Sequence, residues 1–559
     1  MNFKKYKYPL LFIFLMLFNS CKKADNKIET KNTKPNIIFI LADDLGAHDL
    51  SYAGSTFYET PNIDALAKEG TIFTQGYAAA QVCSPSRASI LTGKFTANHG
   101  ITDWIGADYG ESWAKKQNSK ILPPNYKRTI SKDDVTIAQA FKNNGYKTFF
   151  AGKWHLGGAH KSLWPLQRGF DRFYGCIAGS TRFFSPDTDQ REGRGVYSGN
   201  QPVKKVTSTT DRAYYTTDAF ADHAIRFIKE GDQKKPFFLY LSYTAPHWPH
   251  QAHEEDIDKY RGKYLKGWDE LRKERHQRQI RLGLFDKKQT LSPRDEKVPA
   301  WSTLDLEKQK EMDLRMAVYA AMIDCIDQNV GKLLHVLKER EKFENTMILF
   351  LTDNGACAEG AVLGRGEIVD IDKRNLETNN NYGAAWANLS STPFRLYKHF
   401  THEGGSATPF FMHWPKGIKP QKNWYRSQAQ LIDVFPTLLE VCGVKYPESF
   451  EDRELPSLRG ISLSPSFVGK PLERSKPMFS EHENNAFMID GKWKLVGMGV
   501  SSPRGPEIEK WELYNLEEDR TELNDLALTK RDRLKTMAKA WHGWALQDKV
   551  YPKPLNKKK

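Results

Sequence analysis

Asn36-Ile-Ile-Phe-Ile-Leu-Ala42-Asp43-Asp44 sets six apolar residues in a row and closes them with two carboxylates. The run does not alternate, so it predicts a strand covered on both faces, as in a parallel sheet. Three further runs share the pattern. Tyr146-Lys-Thr-Phe-Phe-Ala151 leads into Gly152-Lys-Trp-His155, and Pro236-Phe-Phe-Leu-Tyr-Leu-Ser-Tyr243 leads into Thr244-Ala-Pro-His247. Thr346-Met-Ile-Leu-Phe-Leu-Thr352 leads into Asp353-Asn-Gly355. Ligands of open α/β sheets bind beyond the carboxyl ends of the strands, so these four endings are expected to converge on one cleft.

Helix-compatible segments at 135–144, 218–229 and 304–341 separate the strands, which gives the alternation of an α/β fold. The charged segment 259–284 reads as an exposed helical insertion at the rim of the cleft, its charges serving as a solvated face. After Pro456 the pattern changes to short strands at 478–481, 486–489 and 492–496 with an Asp490-Gly491 turn, then Glu512-Leu-Tyr-Asn-Leu and a helix over 530–546. The fold class expected is therefore α/β, a large, mixed, mainly parallel sheet sandwiched by helices, with a smaller C-terminal antiparallel-sheet subdomain.

Lys4, Lys5 and Lys7 precede an apolar run from Leu10 to Phe18, which is too short to span a bilayer and reads as an export signal. Cys21, after small polar residues, reads as a lipidation site, with plain secretory cleavage as the other reading. The expected organisation is a signal peptide at 1–20, a lipid-anchored tether at 21–34, a catalytic domain at 35–455 and a C-terminal α+β subdomain at 456–559. This puts the chain in the periplasm or at the cell surface as an outer-membrane-anchored bacterial lipoprotein, with membrane contact only through Cys21.

A formal charge of +15 accompanies no nucleic-acid motif, so an anionic substrate suits it better than a nucleic acid. The 39% of hydrophobic residues supply a large core and exclude a disordered chain. Six cysteines are too few for a disulfide scaffold; pairing among Cys176, Cys325, Cys357 and Cys442 stays open.

Asp43, Asp44, Asp353 and Asn354 offer oxygen ligands suited to a hard cation, Ca²⁺ ahead of Mg²⁺, although each pair alone is also a common turn. Cys83, in Cys83-Ser-Pro-Ser-Arg87, falls near a helix N-terminus, where an anion is welcome. By itself it reads as a half-buried or redox-sensitive thiol; beside Arg87 and the strand-end cations it is a nucleophile candidate. His250, His402 and His482 read equally as substrate contacts or solvated loop residues, and Trp248 and Trp386 as sugar-stacking or packing residues.

Cys83-Ser-Pro-Ser-Arg87 resembles the signature of type I sulfatases in the alkaline-phosphatase superfamily. Asp43-Asp44, Gly152-Lys-Trp-His-Leu-Gly157, His247, Asp353-Asn-Gly355 and Lys398-His-Phe-Thr-His-Glu-Gly-Gly405 follow in that family's order over about 35–415. Trp386-Ala-Asn-Leu-Ser-Ser-Thr-Pro-Phe-Arg-Leu-Tyr-Lys398 resembles its arylsulfatase branch. The resemblance implies an alkaline-phosphatase-like fold, Ca²⁺ on Asp43, Asp44, Asp353 and Asn354, and Cys83 oxidised by a formylglycine-generating maturation enzyme. It further implies a covalent sulfate intermediate, with Arg87 and Lys153 stabilising charge, His247 and Lys398 at the leaving oxygen, and His155 taking a proton from the second hydroxyl of hydrated formylglycine.

Ser-Ala-Thr-Pro409 departs from the family by replacing a basic residue often found after the paired glycines, which bears on the cleft wall and not on the chemistry. Asp324 and Asp327 resemble structural acids and are not counted as ligands. The substrate expected is a sulfated carbohydrate, an algal or host polysaccharide or its oligosaccharides. Alternatives are a formylglycine-dependent phosphonate or phosphodiester hydrolase and a non-catalytic glycan-binding lipoprotein. The residue after Asp353-Asn-Gly355 is Ala356, not the histidine that a two-zinc phosphatase would need.

Overall fold

The computed structural model describes Met1 and residues 34–108, 112, 115, 126–189, 191–366, 380–420, 424–450, 452–500 and 505–551. The export and lipidation segments read at 1–20 and 21–34 fall, but for Met1 and Lys34, outside them. Residues 35–559 form one compact unit, which carries both sheets described below.

Nine strands form the main sheet: β1 (Asn36–Ala42), β2 (Thr71–Phe73), β3 (Lys147–Lys153), β4 (Arg172–Cys176), β5 (Val196–Ser198), β6 (Gln201–Pro202), β7 (Phe237–Ser242), β8 (Thr346–Thr352) and β9 (Phe410–His413). Their spatial order is β2-β9-β8-β1-β7-β3-β4-β5-β6. The five central strands, β8 to β4 in that order, run parallel, and antiparallel pairs flank them on both sides. The four apolar runs of the sequence are β1, β3, β7 and β8, adjacent in the middle of the sheet.

β1 shows why its sequence does not alternate. Ile38, Ile40 and Ala42 enter one core, packed against helices α2 (Thr216–Glu230) and α3 (Leu306–Glu339). Ile37, Phe39 and Leu41 enter the other, which holds Ala88, Ile90 and Leu91 of α1 (Cys83–Thr92). Burial of each large apolar side chain is worth about 1.5–3 kcal/mol, so the strand is fastened from both sides. β3 and β7 approach so closely that a Cβ on Gly152 would lie 1.8 Å from the Ser242 carbonyl oxygen; Gly152 also has φ 121°. Only glycine fits there, and Lys153 and His155 follow it into the cleft.

A second, antiparallel sheet comprises β10 (Met478–His482), β11 (Asn485–Asp490), β12 (Trp493–Gly497) and β13 (Trp511–Asn515), in sequence order. Its predicted turn is present, with Gly491 at φ 57°. One face packs on Tyr77, the other on helix α4 (Arg531–Gln547) through Leu495, Trp511 and Trp541. A buried ion cluster ties this sheet to the loop after Lys398. Lys494 lies 2.9 Å from Glu403 and 2.8 Å from Glu522, while Arg520 lies 3.1 Å from Glu403.

The charged segment 259–284 is not simply an exposed insertion. Its helix, Gly267–Arg281, buries Trp268, Leu271 and Arg275, and the Arg275 guanidinium pairs with Asp49 at 2.9 Å. Asp324 and Asp327 are structural, as read: Asp324 accepts from Tyr260 and Lys259, and Asp327 from the backbone N–H groups of Asn62 and Ile63. Among the described residues no disulfide forms, and Cys176, Cys325 and Cys357 are buried thiols. No helix among the described residues is long and apolar enough to cross a membrane.

Candidate active site

Of the ten residues predicted for catalysis and metal binding, nine lie at or just beyond the carboxyl ends of β1, β3, β7 and β8 or in the first turns of α1, and Lys398 joins them from the loop before Glu403. Cys83 is the first residue of α1, one position after an extended Val82, so its side chain sits at the helix N-terminus. It is buried, and burial pushes its thiol up to about 11, with Lys153 and Lys398 working in the opposite direction. At neutral pH it is a protonated thiol and, as such, a poor nucleophile.

His155 Nδ1 lies 3.3 Å from Cys83 Sγ, and His155 Nε2 lies 3.3 Å from the Ile105 carbonyl oxygen. A carbonyl only accepts, so the proton belongs on Nε2 and the Nδ1 lone pair faces residue 83. Burial, then the charges of Lys153 and Arg87, hold His155 well below the usual histidine range. The ring is thus a neutral proton acceptor aimed at position 83.

Arg87, one turn along α1, is fully buried and fixed by four partners. Nε donates to Asp353 at 2.7 Å, Nη1 to Ser242 Oγ at 2.6 Å and to the Lys153 carbonyl at 3.1 Å, and Nη2 lies 3.5 Å from Asp43. Lys153 Nζ donates to Asp43 at 2.6 Å, and Lys398 Nζ to Asp44 at 3.0 Å. Burial is the largest single influence and works against both ammonium groups, but Asp43, Cys83 and Asp353 together hold Lys153, and Asp44, Cys357 and Glu359 together hold Lys398, above the ordinary lysine value. His247 Nε2 lies 3.5 Å from Asp44, and its Nδ1 donates to the Trp248 carbonyl at 2.6 Å. Asp44 and His155 stand in the left-handed region, at φ 66° and 54°, strain of the kind that collects at functional sites.

The carboxylates fit a hard cation. Ligand atoms of Asp43, Asp44 and His247 lie within 4.8 Å of one another. Asp353 stands beside them, its Oδ1 facing the Asp44 N–H at 3.4 Å, and Asn354 Nδ2 donates to Asp44 at 2.6 Å. Asp43 Oδ1 and Asn354 Oδ1 are buried with no hydrogen-bond donor, an arrangement that a cation would satisfy. Asp43, Asp44, Asp353 and Glu359 are balanced by Arg87, Lys153, Lys398 and, on the cavity wall, Arg194, so a divalent ion would make the site net positive toward an anionic substrate.

These groups open into a cavity of about 500 Å³, walled by Cys83, His155, His247 and Lys398 and also by Trp104, Arg194, Trp248, Glu359 and His399. Sequence reasoning did not single out Glu359, His399, Trp104 or Arg194. His399 lay inside a quoted motif and Glu359 soon after Asp353-Asn-Gly355, whereas Trp104 and Arg194 sit in irregular loops with no pattern to flag them. Glu359 accepts from Lys398 at 2.7 Å, from Trp248 Nε1 at 2.8 Å and from His399 Nε2 at 3.2 Å. Although burial opposes it, Lys398 and His399 hold this carboxyl far below its usual range.

The solvated reading of three histidines needs correction. His250, His402 and His482 are all buried, not solvated: His250 packs on Tyr319 and Tyr382, His402 faces Glu512 at 3.3 Å, and His482 faces His399. Of the two roles read for Trp386 the structure gives packing, against Trp268 and Tyr264 in the core. Trp248 does line the cavity.

A family profile described as Sulfatase matches residues 35–444. An uncharacterized sulfatase of Schizosaccharomyces pombe is 33% identical, covering 94% of this chain and 94% of its own. An arylsulfatase of Klebsiella aerogenes is 32% identical over 77% of this chain and 91% of its own. Among solved structures, Ps i-CgsB in complex with k-i-k-neocarrahexaose superposes with a TM-score of 0.65 at 26% identity, covering 92% of this chain and 94% of that one.

Proposed function

Since the chain belongs to the sulfatase family and is thereby a sulfuric ester hydrolase, we propose that it removes sulfate from a sulfated carbohydrate, an algal or host polysaccharide or its oligosaccharides. The observation that carries this reading is the shape and lining of the cavity. Trp104 and Trp248 offer aromatic faces for a sugar ring, and Arg194 adds a cation to the cavity wall. The similarity to a structure holding a neocarrahexaose supports a carbohydrate as well.

Hydrolysis breaks the sulfur–oxygen bond of the ester, consumes water and releases an alcohol and sulfate. The thiol held near 11 suits a precursor better than a nucleophile. Formylglycine made from Cys83 would supply, once hydrated, one hydroxyl to attack sulfur and a second through which the enzyme-bound sulfate is expelled. Ca²⁺ held by Asp43, Asp44, Asp353 and Asn354 would supply positive charge at the reacting oxygens.

The chain's own groups do the rest. Arg87 and Lys153, pinned by Asp353 and Asp43, present fixed positive charge that requires no reorganisation during reaction. His247 and Lys398, both beside Asp44, protonate and neutralise the departing sugar oxygen. His155 Nδ1, already facing position 83 as a lone pair, receives the proton when the second hydroxyl expels sulfate. We also propose export and anchoring through a lipid on Cys21, supported by the basic and apolar run before it; labelling with an acyl-chain analogue that persists in Cys21→Ala would overturn this.

The test is sulfate release from a panel of sulfated glycans by protein co-expressed with a maturation enzyme, alongside Cys83→Ala and phosphate-ester controls. Release from a glycan, lost in Cys83→Ala, is expected. Turnover of phosphonates or phosphodiesters alone would favour the other formylglycine chemistry, and unmodified Cys83 in protein from the native host would favour a binding role.

A further inference from the structure

A second constellation stands at the rim of the cavity, where the loop carrying Lys398 meets the hairpin between β10 and β11. His399 Nδ1 and His482 Nε2 lie 3.4 Å apart, and Glu483 Oε2 is 3.8 Å from each nitrogen. The outer nitrogens are committed. His399 Nε2 faces Glu359 at 3.2 Å and His482 Nδ1 faces the Thr102 carbonyl at 3.4 Å. Both oxygens only accept, so both outer nitrogens carry protons, and the inner nitrogens turn lone pairs toward one another and toward a carboxylate.

With both rings neutral, two lone pairs and an anion facing inward call for a positive centre between them, a shared proton or a metal ion. In a tetrahedral site with metal–nitrogen bonds of about 2.0–2.1 Å, ligand atoms are about 3.3–3.4 Å apart, which is the spacing of the two histidines. Each imidazole also has the outer-shell partner, one a carboxylate and one a carbonyl, that orients metal-bound histidine. Fully buried His482 is held by its strand, while His399 and Glu483 are 30% and 25% exposed, so the side facing solvent remains accessible.

We propose that His399, His482 and Glu483 form a second metal site that takes a divalent transition-metal ion of the zinc class, with its fourth position open to water or to an oxygen of the substrate. Two imidazoles and one carboxylate select a softer ion than the oxygen cluster of Asp43, Asp44, Asp353 and Asn354. The site is separate from that cluster and does not rest on the sulfate chemistry. It would clamp the C-terminal hairpin to the loop of Lys398.

Cobalt(II) is the probe, added to chelator-treated full-length protein that has been refilled with excess Ca²⁺. One equivalent is expected to give d–d absorption of the intensity typical of four-coordination, and Zn²⁺ is expected to displace it. Glu483→Gln, at a partly exposed turn, and His399→Ala should each abolish saturable uptake, whereas Asp44→Asn should retain it. Absent bands in the wild type, bands surviving in both variants, or bands lost in Asp44→Asn would overturn the assignment, the last by placing the ion on Asp43, Asp44 and His247. Anomalous scattering at the zinc edge from zinc-soaked wild-type crystals gives a check independent of variant folding: a peak between the three side chains is expected, and a peak only elsewhere would refute the site.

Discussion

Lys398 Nζ is held between two carboxylates, 2.7 Å from Glu359 and 3.0 Å from Asp44, so one lysine links the cavity wall to the metal-ligand cluster. Glu359 also accepts from Trp248 and His399, which makes it the common acceptor of three donors. Glu359→Ala should lower kcat/KM by about 10–100-fold, since each buried donor left unsatisfied costs about 1–3 kcal/mol. Glu359→Gln, which keeps an acceptor, should lose less; equal losses in steady-state kinetics would mean that the charge matters and the hydrogen bonds do not.

Cys83 in protein made without a maturation enzyme should resist alkylation. With the thiol pushed up to about 11 by burial, little thiolate exists at pH 7.5. Peptide mass spectrometry after timed iodoacetamide treatment should show Cys83 reacting far more slowly than a free thiol, with a rate that climbs toward pH 11. A rapid, pH-independent reaction would contradict the burial and the protonation state together.

The sheet was legible because four of its five central strands are covered on both faces, leaving unbroken apolar runs that lead into Asp43, Lys153, His247 and Asp353. Most of the catalytic residues were legible because they lie within a few positions of such an ending or in the first turns of α1, whereas Lys398 sits in a loop and was legible only from the motif Lys398-His-Phe-Thr-His-Glu-Gly-Gly405. Arg275 was misread because its segment is rich in charge, and a long arginine buried on Asp49 has the same one-letter signature as one in water. His482 was misread for a similar reason: only the pairing of β10 with β11 reveals that its ring faces His399. Trp104 and Arg194 reach the cavity through irregular loops, where position follows from tertiary packing and no local period records it.

Calcium should stabilise the protein through Asp43 and Asp44. A ligand that binds only the folded state at 100 times its Kd adds about 2.7 kcal/mol, so the wild-type Tm should rise with added Ca²⁺. Asp43→Asn and Asp44→Asn should each remove most of that rise in calorimetry. A Ca²⁺-dependent shift of unchanged size in both variants would place the ion elsewhere.

Acid should destabilise the fold through buried neutral histidines. Burial, then Arg520, pushes His48 down to about 3, and burial, then Lys94, pushes His99 to about 3. His99 Nδ1 accepts from the Ile101 N–H at 3.1 Å, a bond that protonation there would break. Below pH 6.5 the unfolded chain binds protons that the folded chain refuses. The associated stability is therefore complete above pH 6.5 and lost progressively as pH falls toward 3, at about 1.4 kcal/mol per pH unit per histidine. Denaturant unfolding of His99→Gln between pH 6 and 4 should show a slope shallower by about that amount, and an unchanged slope would exclude His99 as a contributor.

The buried cluster of Lys494, Glu403, Glu522 and Arg520 joins the antiparallel sheet to the loop of Lys398, and its balance is two cations against two anions. Lys494→Met keeps the volume of the side chain but leaves Glu522 without its 2.8 Å partner and Glu403 with Arg520 as the remaining cation of the cluster. Breaking a buried pair from one side costs about 3–5 kcal/mol, because the remaining charge stays desolvated. The Tm should fall accordingly. Adding Glu522→Gln to Lys494→Met should recover part of the loss, since it removes the stranded charge while keeping an acceptor for the Glu403 N–H, which Glu522 now serves at 2.9 Å. Additive losses in the double variant, measured by denaturant unfolding, would show that the cost lies in packing around Lys494 and not in the unpaired carboxylate.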